Sequence, residues 1–318
     1  MKEEIGGYLE WETYIGNEYH NDCLKLNSGR NCLRYIIRAR EIKSIWLPRY
    51  ICSSIYNVCI QEKIRINWYQ IDPNFIPDIE EMTDNNSYLY LINYFGQLDD
   101  ETIYKLCLQF TNVIVDYSQA FFQRPLEGID SIYTCRKFFG VPDGAYLYTK
   151  EKKLNIVETE TVGERFLFLL GRYERRADEF YCDFQNNEKY IENQPIRNMS
   201  YISENLMRSF DYNYAKERRN LNFQILTKAF QNINKLFLKI PDGPFMYPLL
   251  LDNGETIRRE LNKLKIYVPT LWPDVFAYCR TDSYEYQLAK NLVPLVCDQR
   301  YSDIEMDYII KSVMQIIS

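Results

Sequence analysis

The sequence predicts an α/β protein, a large domain with a mostly parallel mixed sheet followed by a small C-terminal α+β domain. Two features carry this reading. Through the first 150 residues, short and nearly continuous apolar runs alternate with helix-length amphipathic stretches. Strands of that kind are expected where helices cover both faces of a parallel sheet. After residue 150 the alternation gives way to long, charged helical stretches and a short tail of mixed strands and helices.

Taken in order, the predicted strands are Ser44–Leu47, Ile64–Tyr69, Ser87–Ile92, Asn112–Val115, Ser131–Tyr133 and Ala145–Tyr148. Helices fill the gaps, for example over Gly29–Arg40, Cys52–Gln61 and Asp99–Gln109. A long charged helical region is expected from about Val162 to Gln185, then a polar loop from Asn186 to Asn198. Leu206, Phe210, Leu221 and Leu226 fit one or two amphipathic helices between Ser203 and Asn232. The tail reads as strands at Met246–Leu251 and Lys265–Val268 and helices at Tyr284–Asn291 and Asp303–Ile317. This divides the chain into a large domain, residues 1–200, with an N-terminal arm and connecting helix, and a small domain, residues 201–318.

Composition excludes several functions. A net charge of −6 spread along 318 residues offers no basic stripe for nucleic acid. Met1-Lys-Glu-Glu-Ile-Gly-Gly7 lacks the apolar stretch of a signal peptide, and runs such as Phe166–Leu170 are too short to span a bilayer. A soluble, cytoplasmic protein with no membrane partner is expected. Nine cysteines, an odd number at irregular spacing and with no Cys-x-x-Cys, point to reduced thiols and no zinc site. The single histidine, His20, lies in the polar stretch Asn17–Asp22 and reads as an exposed loop residue. Proton transfers in an enzyme of this composition fall to lysine, tyrosine or a carboxylate.

Ligands of open α/β sheets bind at the carboxyl ends of the strands, so residues just past each run come first. Asp116 ends Asn112-Val-Ile-Val115. There it can hold a metal, act as a base or pair with a cationic ring nitrogen; taken alone, it reads more readily as a helix N-cap. Gln119 follows three residues later. Thr134-Cys-Arg-Lys137 sets a hydroxyl near an amine, which suits a Schiff-base lysine beside a phosphate or, equally, a solvated basic pair. The Ser-x-x-Lys nucleophile of penicillin-binding enzymes is rejected, because its Ser-Asp-Asn and Lys-Thr-Gly companions are absent. Ser28-Gly29-Arg30 opens a helix, as a phosphate cradle would and as any good helix start does.

Together these segments resemble a family. Asn27-Ser-Gly-Arg30, Leu47-Pro-Arg-Tyr-Ile-Cys52, Asn93-Tyr-Phe-Gly96, Val115-Asp-Tyr-Ser-Gln-Ala120, Arg136-Lys137 through Asp143-Gly144, and Cys297-Asp-Gln-Arg-Tyr301 occur in that order. They look like the DegT/DnrJ/EryC1/StrS sugar aminotransferases, PLP-dependent (pyridoxal 5'-phosphate) enzymes of fold type I, from about residue 20 to the C-terminus. The resemblance implies that Lys137 forms the Schiff base and shuttles the proton, that Asp116 pairs with the pyridinium nitrogen, and that Gln119 bonds the phenolic oxygen. It implies Ser28, Gly29, Arg30 and Thr134 around the phosphate, with an aromatic such as Tyr50 over the ring. It further implies a homodimer that moves an amino group from an amino acid, glutamate first, to a nucleotide-linked keto sugar.

Three departures accompany it. The stretch from Asp130 to Lys137 is shorter than usual and lacks the family's histidine, and the chain as a whole is short. The segment that completes the partner's phosphate site is visible only faintly, around Arg197–Ser200. They leave a second reading open: a PLP-binding or degenerate protein of this fold with another substrate or a regulatory role. Trp272 and Arg300 read as structural, a packing anchor and an ion-pair partner.

Overall fold

The computed structural model describes residues 5–79, 82, 86–151 and 153–318; Met1–Glu4, part of the charged start, lie outside them. Eight strands form one sheet: β1 (Leu24–Leu26), β2 (Ser44–Pro48), β3 (Arg65–Ile71), β4 (Pro77–Asp78), β5 (Tyr88–Ile92), β6 (Val113–Asp116), β7 (Asp130–Thr134) and β8 (Ala145–Tyr148). Their spatial order is β1-β8-β7-β6-β5-β2-β3-β4. The run β7-β6-β5-β2-β3 is parallel, and antiparallel partners close both sides. The central strands are buried almost throughout, which explains why their sequences are apolar without alternation.

Helices α1 (Gly29–Ala39), α2 (Ser53–Gln61) and α3 (Asp100–Gln109) connect the strands. The Ser28 hydroxyl caps α1 by accepting from the Asn31 N–H, and Asp99 caps α3 through the Thr102 N–H. α1 lays Cys32, Leu33, Ile36 and Ile37 onto the core.

Beyond β8 the expected long helix is broken. α4 (Leu167–Glu174) ends where Arg175 turns extended, a 3-10 turn covers Ala177–Phe180, and α5 (Tyr181–Glu192) follows. Gly171 makes the corner possible, since a Cβ there would lie 2.3 Å from the Phe180 ring. The polar loop expected from Asn186 is helical as far as Glu192. Asn187 holds it down by donating to the Pro142 carbonyl at 3.0 Å and accepting from Arg165 at 2.6 Å. Two helices then occupy the amphipathic stretch, α6 (Tyr201–Met207) and α7 (Tyr212–Phe230), with Leu226 buried and Leu221 exposed.

The tail comprises β9 (Met246–Leu250), α8 (Gly254–Lys263), α9 (Val275–Tyr278), α10 (Tyr284–Asn291), β10 (Leu292–Val296) and α11 (Asp303–Ile317). No strand forms at Lys265–Val268. Lys265 has φ +61, and the Val268 N–H is taken by the Asn262 side chain at 2.8 Å, so this backbone is not free to pair. β9 pairs instead with β10, antiparallel. Residues from α7, β9, α8, β10 and α11 make a second apolar core, separate from the one around the large sheet.

His20 corrects the sequence reading. It is fully buried among Phe121, Tyr133, Tyr146 and Tyr148. In the tautomer that satisfies both nitrogens, Nε2–H donates to the Phe121 carbonyl at 2.8 Å and Nδ1 accepts from the Tyr148 hydroxyl at 3.1 Å. Burial pushes the imidazole down to about 3, so it is neutral in the fold. Asn17, Asn21 and Asp22 are exposed while the His20 ring points inward.

Candidate active site

A cavity of about 300 Å³ opens at the carboxyl ends of β2, β5, β6 and β7. Ser28, Gly29, Arg30, Asp116, Gln119, Thr134 and Lys137 all line it. Residues spread over more than a hundred positions thus meet at one wall, because each stands just past a strand or at the start of α1.

Asp116 is the last residue of β6 and buried. The Tyr90 hydroxyl donates to one carboxylate oxygen at 2.9 Å and the Ser118 N–H to the other at 2.7 Å, which fixes the carboxylate's plane. The Gln119 carbonyl oxygen accepts from the Phe95 N–H at 2.9 Å. Its amide NH2 has no partner among the described residues and is available to the cavity.

Lys137 sits in the turn that follows β7 and donates to the Ser118 hydroxyl at 2.9 Å. Solvent reaches its side chain through the cavity mouth. The surrounding protein still holds the ammonium below the usual lysine range, chiefly by desolvation. Asp116 and Cys52 oppose that lowering, and Arg30 and Arg136 add to it. An amine so placed reaches its neutral, nucleophilic form more easily than a surface lysine does.

Another part of the cavity wall is built for an anion. The first turn of α1 leaves N–H groups without helical acceptors. Arg30 Nε and Thr134 Oγ1 are buried there with no partner. Gly29 keeps the approach open, since a Cβ on it would meet Thr134 Cγ2 at 2.7 Å. Arg136, paired with Glu188 of α5, supplies a second guanidinium. Two arginines, an unfilled hydroxyl and a helix start are the donor set that a phosphate needs. No cluster of His, Cys, Asp and Glu that could hold a metal occurs among the described residues.

Two residues named from sequence stand differently. Tyr50 is not on the cavity wall: its ring is buried, 4.4 Å edge-on from Trp272 and 5.7 Å from Tyr94, and its hydroxyl has no partner. Trp272, read as a packing anchor, packs on Tyr50 and also lines the cavity. Arg300 forms a two-point ion pair with Asp298, at 2.9 and 2.7 Å.

The turn carrying Lys137 is held from outside the large sheet. The buried Arg219 of α7 donates to the Phe138 carbonyl at 3.2 Å, and Gln299 donates to the same oxygen at 2.9 Å. Arg219 also donates to the Gln299 side-chain oxygen at 2.7 Å and to the Pro244 carbonyl at 2.8 Å. Asp143 is equally structural. Its carboxylate accepts from the Ser200 N–H and hydroxyl and from the Ser203 hydroxyl, tying the loop after Lys137 to α6. Sequence reasoning missed Arg219, Tyr90, Ser118 and Glu188. Arg219, Tyr90 and Glu188 enter by tertiary contacts that no local pattern announces, whereas Ser118 lies two residues past Asp116, inside the Val115–Ala120 motif.

The fold is the one seen in solved sugar aminotransferases. The putative sugar aminotransferase Spr1654 from Streptococcus pneumoniae, PMP form, superposes with a TM-score of 0.65 over 92% of this chain and 87% of that one, at 13% identity. The sugar aminotransferase CalS13 from Micromonospora echinospora gives 0.65 over 92% and 87%, at 12% identity. PseC from Helicobacter pylori, an aminotransferase involved in the biosynthesis of pseudoaminic acid, gives 0.63 over 93% and 86%, at 14% identity. At these identities the likeness is one of fold. No protein-family model and no curated protein matches the chain.

Proposed function

We propose that the chain is a PLP-dependent aminotransferase whose cofactor lysine is Lys137, acting on a nucleotide-linked keto sugar with an amino acid, glutamate first, as donor. The observation that carries this reading is the single cavity in which an amine, a fixed carboxylate and an anion cradle converge. PLP, when bound, supplies an electron sink for carbon acids. Asp116, oriented by Tyr90 and Ser118, keeps a proton on the ring nitrogen. The free amide NH2 of Gln119 donates to the phenolic oxygen. Ser28, Gly29, Arg30 and Thr134 hold the phosphate. The amine of Lys137 accepts and returns the proton that moves during transfer, with Ser118 holding it between steps.

Support for an anionic, ring-bearing acceptor comes from the neighbouring cavity of about 530 Å³, which also reaches Lys137. Arg172 and Lys265 line it without ion-pair partners among the described residues, beside the rings of Phe245, Tyr267, Tyr301 and Tyr308. Cations with aromatic faces suit a phosphate and a base. A homodimer accords with the apolar N-terminal arm, where Ile5, Tyr8, Leu9 and Ile15 are almost fully exposed. No helix among the described residues is long and apolar enough to cross a membrane, and we read the protein as cytoplasmic. The division into residues 1–200 and 201–318 is supported by a second apolar core that lies wholly beyond residue 200, although Met207, Ala215, Val275 and Leu288 join the first core.

The test is the absorbance spectrum after incubation with PLP. A visible band that borohydride fixes in wild type and that Lys137→Ala lacks is expected. Glutamate should then bleach that band. A band that glutamate leaves unchanged favours the regulatory reading, and no band in wild type refutes the cofactor.

A further inference from the structure

The phosphate end of the cavity already contains an anion. Glu188, on the third turn of α5, lies on the wall with Arg30, Thr134 and Arg136 and is ion-paired with Arg136. The remaining donors there, Arg30 Nε and Thr134 Oγ1, are buried and unpartnered. A phosphate that reaches them comes up against a carboxylate occupying the neighbouring guanidinium, and like charges brought together in a partly desolvated site repel. The carboxylate has somewhere to go: the Glu188 side chain keeps 35% of its exposure, so it can turn to water when displaced.

We propose that Glu188 is the cavity's resident counter-ion, a residue that sets affinity for phosphate-bearing ligands by holding Arg136 until a phosphate replaces it. The identity of the natural ligand rests on the PLP reading above; the competition between two anions does not. The exchange reaches further than one side chain. Phe184, one helical turn before Glu188, lines this cavity and both adjoining cavities at Lys137. Release of Glu188 therefore removes one tether from the helix that forms the shared wall, leaving the Asn187 bonds to Pro142 and Arg165, and loosens the side of the space where a substrate would enter.

The test titrates inorganic phosphate and PLP separately into wild type, Glu188→Gln and Glu192→Gln, by calorimetry and absorbance. Glu192→Gln removes the same charge one turn further along α5, outside the cavity wall. Glu188→Gln should tighten both ligands by on the order of tenfold, and Glu192→Gln should leave them unchanged. Amide exchange across residues 181–192 should rise on phosphate binding in wild type and be raised already in unliganded Glu188→Gln. Unchanged or weaker binding by Glu188→Gln, with the PLP band intact, overturns the counter-ion role and leaves the cofactor reading standing. Tighter phosphate binding with no PLP band in either protein sustains the counter-ion role and overturns the cofactor. Equal effects of the two variants reduce the result to net charge and refute the proposal.

Discussion

Arg219 offers a direct test of how the lysine turn is held. Its guanidinium is buried and donates to Gln299, Pro244 and Phe138 at 2.7, 2.8 and 3.2 Å, lying 4.5 Å over the Phe138 ring. Hydrogen bonds from a charged donor contribute about 1.5–3 kcal/mol each, so these three give a gross gain of roughly 4.5–9 kcal/mol. Burial opposes them, pulling the group's pKa about two and a half units below the usual arginine value, to about 10. At about 1.4 kcal/mol per tenfold in the proton equilibrium, that cost is roughly 3 kcal/mol. The balance predicts that Arg219→Met, which keeps most of the volume, destabilises by about 1.5–6 kcal/mol. Arg219→Ala should lose a further ~1–2 kcal/mol for the hole it leaves. Urea unfolding of the cofactor-free protein measures both, provided the denaturant slope is unchanged. If Arg219→Met falls within about 1 kcal/mol of wild type, the bonds only balance the desolvation and the reasoning fails.

Two further outcomes follow from named groups. His20 is neutral in the fold down to about pH 3, while an unfolded histidine takes up a proton below about 6.5. The unfolded chain therefore binds more protons in that window, and stability should fall as pH drops through it, by about 1.4 kcal/mol per pH unit from this group. His20→Gln should flatten that part of the urea-midpoint profile between pH 6.5 and 4, and an unchanged slope counts against a buried neutral imidazole. Gly29→Ala places a methyl 2.7 Å from Thr134 Cγ2. The clash costs about 1–3 kcal/mol of local strain, so Gly29→Ala should lower the urea midpoint of the cofactor-free protein and, by displacing Thr134, weaken PLP binding roughly tenfold or more. Retained affinity would show that the cradle is looser than its geometry implies.

Much of the large sheet was legible because its buried strands are long apolar runs; Ala145–Tyr148 has the same bounds in sequence and structure. Asp116, Gln119, Thr134 and Lys137 could be singled out because they follow strands whose positions were already readable. What escaped depends on distance along the chain. β10 is a run of five residues directly after α10, and its partner β9 lies some forty residues earlier. The break between α4 and α5 depends on a glycine meeting one phenylalanine ring, and His20 is buried despite neighbours that favour water. Glu188 belongs to a helix whose polar sequence reads as a loop until Asn187 is seen bonded to Pro142.

The hold on Phe138 makes Lys137 answerable to two parts of the chain. The lysine follows a strand of the large sheet, yet the carbonyl beside it is gripped by a helix and a loop belonging to the second core. A change in how those two cores meet would be transmitted to the amine through one peptide group. Substitutions far from the cavity, on the inner face of α7 or in the loop after β10, therefore belong among the levers on reactivity, alongside the residues that line the pocket itself.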